Sequence, residues 1–181
     1  FLLVIMLRAR KIIHGVIDGM ILAGLVAVGF AAVENVVYYL AAYFELPEGL
    51  GVTGAEATTA TFVIRGVFSP LGHPLFTTCI GVGIGLAVLQ KSWLNRIVLV
   101  VGGYLGSVAL HAMWNGSAVL GGGTGFVIVY LIMALMLVGL LVAIILMRIR
   151  EMKSMRSTLI QLSEMGWLHP AEVGHLLKFS R

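Results

Sequence analysis

The chain has 181 residues, of which 60% are hydrophobic and only 11% are charged, and its net charge is +4. A soluble globular domain is roughly 45–50% apolar and about 25% charged, so this composition excludes an ordinary soluble fold. The basic residues stand at the ends of apolar segments, which is typical of membrane topology and argues against nucleic-acid binding. The sequence therefore predicts an all-α polytopic membrane protein.

The apolar run at residues 1–7 is too short to cross a bilayer, because a hydrocarbon core about 30 Å thick needs about 20 helical residues. It ends at a basic cluster, Arg8, Arg10 and Lys11. A signal peptide carries its charges before the apolar run rather than after it. We therefore interpret residues 1–7 as the last turns of a truncated helix whose beginning lies upstream of Phe1.

Four apolar segments follow, and each is long enough to cross a bilayer as a helix. They cover residues 12–44, 61–89, 97–120 and 124–147. We therefore predict a transmembrane helix bundle over residues 1–147. Residues 148–181 are predicted to form a basic tail, with a short helix after Pro170, because proline favours the first turn of a helix.

The loop charges predict the orientation of the bundle. The basic residues before the first span, Lys91 with Arg96, and the start of the tail all fall on one side of a four-span topology. The opposite side carries Glu45, Glu48 and Glu56, or no charge. The positive-inside rule makes the basic side cytoplasmic, so the tail is predicted to be cytoplasmic and Tyr38 to lie in an outer aromatic belt.

Polar side chains also lie deep inside the apolar segments, where an ionisable group is costly and marks a functional site by default. These residues are Glu34, Asn35, Arg65, His73, His111 and Asn115. From the rise of a helix, His111 and His73 lie about 22 Å and about 25 Å from the cytoplasmic boundary, and Glu34 up to about 34 Å. Such similar depths predict one shared buried site in the outer half of the membrane.

The types of these residues favour hydrolytic or metal chemistry. His111 and Asn115 share one helix face, where an imidazole can bind a metal and an amide can stabilise an oxyanion. Glu34 with two histidines matches the ligand set of a catalytic zinc that keeps water in its fourth position. The alternatives are a structural ion pair between Glu34 and Arg65 and simple packing hydrogen bonds between helices.

Pro70 and Pro74 flank His73 and remove backbone donors near the middle of the second span. The span is therefore predicted to kink. Irregular backbone at this depth is tolerated only against protein or a water-filled cavity. His73 is accordingly predicted to face a wet pocket.

Three segments of the chain form a combined pattern: Phe30-Ala-Ala-Val-Glu34-Asn35 with Tyr38-Tyr39, Arg65 with Gly72-His73-Pro74, and His111-Ala-Met-Trp-Asn115. Together they resemble the PrsW family of intramembrane proteases, which forms a wider group with the type II CAAX prenyl endopeptidases and the Abi proteins. The resemblance covers residues 1–147. It implies that zinc or another divalent metal is held by Glu34, His73 and His111. It also implies that these residues and Asn115 are catalytic, with support from Asn35 and Arg65.

The resemblance further implies cleavage of a single-pass membrane protein, typically an anti-sigma factor, near the extracytoplasmic side of a bacterial cell membrane. The family also carries a Glu-Glu-x-x-Lys motif on the helix before the first long segment. Because the sequence begins after the expected place of this motif, we expect the motif upstream of Phe1.

Two other classes of function are compatible with the same residues. A proline-broken helix with polar residues at depth is also how transporters build binding sites, although no internal repeat supports that interpretation. A non-catalytic scaffold subunit of a membrane-protein complex is the other alternative. A Glu-Glu-x-x-Lys motif upstream of Phe1 would favour the enzyme, and its absence there would favour the scaffold.

Overall fold

The computed structural model of the protein describes residues 12–45, 51–120 and 122–179. All regular structure in these ranges is helical, which confirms the predicted all-α class. The truncated helix predicted at residues 1–7 and the basic cluster that follows it lie outside the described residues.

The chain divides into two compact units, Phe1–Met133 and Ala134–Arg181. The division at Met147 that composition predicts stays a prediction. The helices, in chain order, are α1 (Val16–Phe44), α2 (Gly54–Phe62), a π-helical segment (Val63–Phe68), α3 (Gly72–Val88), α4 (Trp93–Leu120), α5 (Gly122–Glu164) and α6 (Pro170–Phe179).

Helices α1, α4 and α5 are each long and apolar enough to cross a membrane. The second predicted span is a bent pair, in which α2 with the π segment meets α3 at 44°. Large apolar side chains point outward along these helices, for example Val119 at 81% and Leu135 at 72% exposed. Such surfaces suit hydrocarbon rather than water, so the chain is a multi-pass membrane protein.

Two predicted boundaries differ from the structure. The second span begins earlier, at Gly54, because Thr53 and Glu56 form a reciprocal capping box at the start of α2. The helix of the fourth predicted span, α5, does not end at Met147 but continues to Glu164. The drop in hydropathy after Met147 predicts where the membrane ends, but it does not predict where the helix ends. No glycine or proline follows Met147 until Gly166, so the helix continues into the polar tail. The short helix begins at Pro170, as predicted.

The kink of the second span lies at Pro70, between the π segment and α3. The amide and hydroxyl of Ser69 both donate to the carbonyl oxygen of Ile64, at 3.0 and 2.8 Å, and so close the π segment. Pro74 does not add a second kink, because it lies in the first turn of α3, where its missing N–H has no helical partner to lose.

Helix α3 packs between α1 and α4 through glycines. A Cβ added at Gly19 of α1 would overlap the carbonyl oxygen of Gly81. On the other side of α3, the hydroxyl of Ser107 accepts from the amide of Ile80 at 3.1 Å and donates to the carbonyl of Gly103. Small residues thus let the three backbones approach closely, as is usual between membrane helices.

We expect Gly103→Ala to destabilise this packing. The new Cβ would lie 2.6 Å from the carbonyl oxygen of Cys79 and 3.0 Å from the Cα of Ile80, and both are backbone atoms that cannot rotate away. Overpacking of this kind costs about 1–3 kcal/mol. Reversible unfolding of the purified protein in mixed micelles would measure the loss.

The matched control is Gly102→Ala, one residue earlier on α4, where an added Cβ would meet nothing within 4 Å. Alanine is the better helix former by up to about 1 kcal/mol, so this variant is expected to be as stable as the native protein or slightly more so. Equal destabilisation by the two substitutions would contradict the glycine contact.

Candidate metal centre

Three potential metal ligands meet where the packed helices face one another: Glu34 from α1, His73 from the first turn of α3 and His111 from α4. The Nε2 of His73 lies 3.0 Å from Oε2 of Glu34, and the Nε2 of His111 lies 3.8 Å from Oε1. The three donor atoms all lie within 4.8 Å of one another. The structure thus brings together the three residues whose similar depths predict a shared site.

The donor set fits a divalent metal. The Nε2 of His73 is buried and makes no hydrogen bond, although a carboxylate oxygen lies close by. This nitrogen is therefore left without a hydrogen-bonding partner and is available as a ligand. In a tetrahedral zinc site with bonds of about 2.0–2.1 Å, neighbouring ligand atoms lie about 3.4 Å apart, between the two observed separations. Two imidazoles and one carboxylate are also a usual ligand set for catalytic zinc.

Aromatic side chains fix the two imidazole rings. Phe76, which is 3% exposed, stacks on His111 with 5.4 Å between ring centroids and meets the edge of His73 at 5.8 Å. Phe30 contacts the same two rings, at 5.4 Å from His73 and 6.3 Å from His111. Since both imidazoles are bordered by phenyl rings, they are held in a largely apolar surrounding.

Arg65 lies beside the ligands, on the π segment. Its Nε donates to Oδ1 of Asn35 at 2.7 Å, and its guanidinium pairs with Oε2 of Glu34. The guanidinium lies over the ring of Tyr38, with Cζ 3.8 Å from the ring centroid. Because Nε and a terminal nitrogen are directed to Asn35 and Glu34, so short a separation implies that the ring faces the plane of the guanidinium. The ion pair that the sequence offers as an alternative to a metal site therefore exists within the same cluster.

A polar pocket opens next to these residues. It is small and has room for about one water molecule. Asn35, Arg65 and His73 contribute polar atoms, and the remaining wall consists of Ala31, Ser69, Pro70, Gly72, Phe76 and Trp114. The wet pocket that the prolines predict beside His73 thus has a counterpart in the fold.

Asn115 differs from the other predicted residues. It lies one turn beyond His111 on α4 and is half-buried, but it forms no hydrogen bond in the described part of the chain. The pocket wall contains its neighbour Trp114 instead. Helical spacing places Asn115 on the same face as His111, but it does not bring the amide to the pocket.

An open apolar groove lies beside the pocket, lined by Ile64, Phe68, Phe126, Val127 and Tyr130. Trp114 belongs to the pocket wall and also contacts two groove residues, with ring centroids 5.2 Å from Phe126 and 6.2 Å from Tyr130. The hydroxyl of Tyr130 donates to the carbonyl of Phe68 at 3.1 Å. Pocket and groove are therefore neighbours separated by a shared wall.

Sequence reasoning misses Tyr38, Phe76 and Trp114 as parts of the site. Each follows a predicted site residue at helical spacing, four residues after Glu34 and three after His73 and His111 respectively. Residues three or four apart on a helix lie on the same face, so this spacing is the available signal. The sequence predicts an interfacial aromatic belt for Tyr38, whereas its ring contacts a charged residue of the site.

Comparison with known proteins agrees with the geometry. The model of a family described as PrsW family intramembrane metalloprotease matches residues 1–149, which include every predicted site residue. Neither the curated proteins nor the solved structures contain a match to the chain.

We expect the purified protein to bind one zinc ion per chain. Removal of one ligand in His73→Ala or His111→Ala should weaken binding by more than about tenfold, since even partners of ligands contribute that much. Competition with a chromophoric chelator in detergent would measure the affinity.

His14→Ala is the matched control, because this histidine is 75% exposed and its partner among the described residues is Asp18. It should leave the zinc affinity unchanged. The site assignment would be wrong if His14→Ala weakened zinc binding as much as His111→Ala did.

Proposed function

The chain belongs to the PrsW family of intramembrane metalloproteases, and from this premise we propose that it hydrolyses a peptide bond of a single-pass membrane protein at the centre of Glu34, His73 and His111. One observation supports this most directly: three potential ligands on three helices bring their donor atoms within 4.8 Å of one another. Beside them is a pocket with room for water, which the reaction consumes.

Glu34, His73 and His111 would hold the metal. When bound, a divalent metal supplies a Lewis acid and a nucleophilic water at neutral pH. In the hydrolysis, the oxygen of water bonds to the carbonyl carbon, the C–N bond breaks, and a proton passes to the leaving amine. Phe30 and Phe76 hold the imidazoles in place during these changes, since they contact both rings.

The amide of Asn35 is suited to stabilise the oxyanion that develops on the scissile carbonyl. The guanidinium of Arg65 can only donate hydrogen bonds, so the Asn35 atom that faces it must be the oxygen Oδ1. The amide nitrogen of Asn35 therefore points away from Arg65. That nitrogen has no hydrogen-bonding partner among the described residues, and its side chain belongs to a residue that lines the pocket. A donor aimed at developing charge is among the largest contributions to such reactions.

The groove beside the pocket suits the apolar part of the substrate. A membrane-spanning segment that lay against Phe68 and Phe126 would need to unwind only locally to bring a peptide bond past Trp114 to the pocket. Peptide bonds inside a regular helix are protected by their own hydrogen bonds, so local unwinding is a condition of cleavage.

The substrate is an anti-sigma factor, cut near the extracytoplasmic side of a bacterial cell membrane, with the tail of the protease in the cytoplasm. The positive-inside pattern and the depths of the site residues support this orientation. Co-expression with single-pass anti-sigma factors of the same genome, followed by mass spectrometry of the fragments, tests both the substrate and the side of cleavage.

We expect His111→Ala to reduce cleavage in cells by at least about a hundredfold, because a metal contributes several kcal/mol of transition-state stabilisation. Immunoblotting of a substrate tagged at both ends would measure the loss. Cleavage that survives this substitution would refute the assignment. His14→Ala, far from the site, should cleave normally.

Asn35→Asp should lower the rate constant of cleavage by about 100–1000-fold, the usual effect of losing one oxyanion donor. Aspartate keeps the acceptor oxygen for Arg65 but has no N–H to donate. The matched change is Asn115→Asp, which should have little effect because Asn115 does not line the pocket. The reverse order of effects would transfer the role to Asn115.

A further inference from the structure

Arg65 is held by three side chains of one helix face on α1. Asn35 accepts its Nε–H, Glu34 pairs with its terminal nitrogen, and the ring of Tyr38 lies under its plane. The guanidinium side chain is only 12% exposed. The first two contacts lie at the edge of the guanidinium, whereas the third covers its face.

The contact with Tyr38 restricts the one motion that the edge contacts permit. Two hydrogen bonds in one plane still allow a guanidinium to tilt about the line that joins them. A π face at 3.8 Å from Cζ opposes this tilt and adds a cation–π attraction. Since stacking uses only the face, all N–H groups stay free for Asn35 and Glu34.

The position of Arg65 matters to the metal centre through the Glu34 carboxylate. Oε2 of Glu34 lies between Arg65 and the Nε2 of His73, and Oε1 is directed to His111. A tilted guanidinium would pull Oε2 out of this arrangement. The carboxylate would then rotate about its own bond and misalign both oxygens relative to the two histidines.

Arg65 also lies on an irregular part of the backbone. The π segment ends at Phe68 and is capped by Ser69, just before the break at Pro70, so it is a short turn with π rather than α hydrogen bonds and no helix continues it directly. The contacts with helix α1 therefore contribute more to the position of Arg65 than they would if Arg65 lay on a long regular helix.

We infer that Tyr38 is a positioning residue of the site: its ring holds the guanidinium of Arg65 in the plane where it orients the Glu34 carboxylate toward His73 and His111. The kinetic consequence rests on the proposed protease function, but the positioning of Arg65 does not. The hydroxyl of Tyr38 forms no hydrogen bond within the described ranges, so the ring face alone carries the effect.

The positioning can be observed without catalysis, by NMR of the full-length protein in micelles with ¹⁵N-labelled arginine. The ring current of Tyr38 should shift the Nε–H signal of Arg65 upfield, and loss of the signal in Arg65→Lys identifies it. Tyr38→Phe should keep the shift, and Tyr38→Leu should remove it. An unchanged signal in Tyr38→Leu would refute the inference.

The kinetic test is a double-mutant cycle. Tyr38→Leu should lower the cleavage rate constant about threefold to tenfold, the range expected for a cation–π contact of partly desolvated groups. Tyr38→Phe should restore it. In an Arg65→Lys background, Tyr38→Leu should have no further effect, because its action passes through the guanidinium. Additive losses would mean that Tyr38 does not act through Arg65.

Tyr43→Leu is the matched control on the same helix, since this tyrosine is 52% exposed and its ring contacts Phe44. It should change neither the signal of Arg65 nor the cleavage rate, and an equal loss there would refute a specific role for Tyr38. If the native protein neither binds zinc nor cleaves, while Tyr38→Leu still moves the Arg65 signal, the proposed function fails and the positioning stands.

Discussion

The carboxylate of Glu34 lies among membrane-spanning helices, where an unpaired negative charge would cost several kcal/mol. The site satisfies this charge from several directions at once. Arg65 neutralises one oxygen, and the two histidines lie close to both. The same groups therefore make the carboxylate tolerable in the bilayer and set its direction. The ion pair with Arg65 does not compete with the proposed metal site, because one carboxylate has an oxygen near Arg65 and His73 and another directed to His111.

This arrangement depends on how closely the backbones approach. Helix α3 brings His73 between Glu34 and His111 only because glycines line both of its faces, toward α1 and toward α4. Larger residues would separate the helices by more than the short reach of a carboxylate or an imidazole. The polar cluster thus depends on the glycine contacts, because close packing at the depth of the glycines brings Glu34, His73 and His111 together at another depth.

Much of this could be predicted from the sequence. Apolar segments of sufficient length identify the spans, and similar depths along three helices predict that Glu34, His73 and His111 share one site. The other features of the site depend on how each helix is rotated about its axis, which the depth of a residue does not predict. Asn115 shares a helix face with His111, yet the rotation of α4 presents Trp114 to the pocket. The six residues of the π segment do not differ in composition from those of an α-helix, so the sequence does not predict the segment. The contact of Arg65 with the ring of Tyr38, which depends on this local geometry, could therefore not be predicted either.

The π segment has a consequence for how this region can vary. A π-helix holds about one more residue in its turn than an α-helix does, and it usually marks a single inserted residue. Removal of one residue from Val63–Phe68 would let the turn close as a regular α-helix. Because the π turn already accommodates the extra residue, the helix before it would keep nearly the same direction and phase. The change would fall on the turn itself, which carries Arg65 and is closed by the pocket-lining Ser69. The π segment thus confines the effect of a change in length to the side chains of the site, and natural variation in length there should alter the site without rotating the rest of the span.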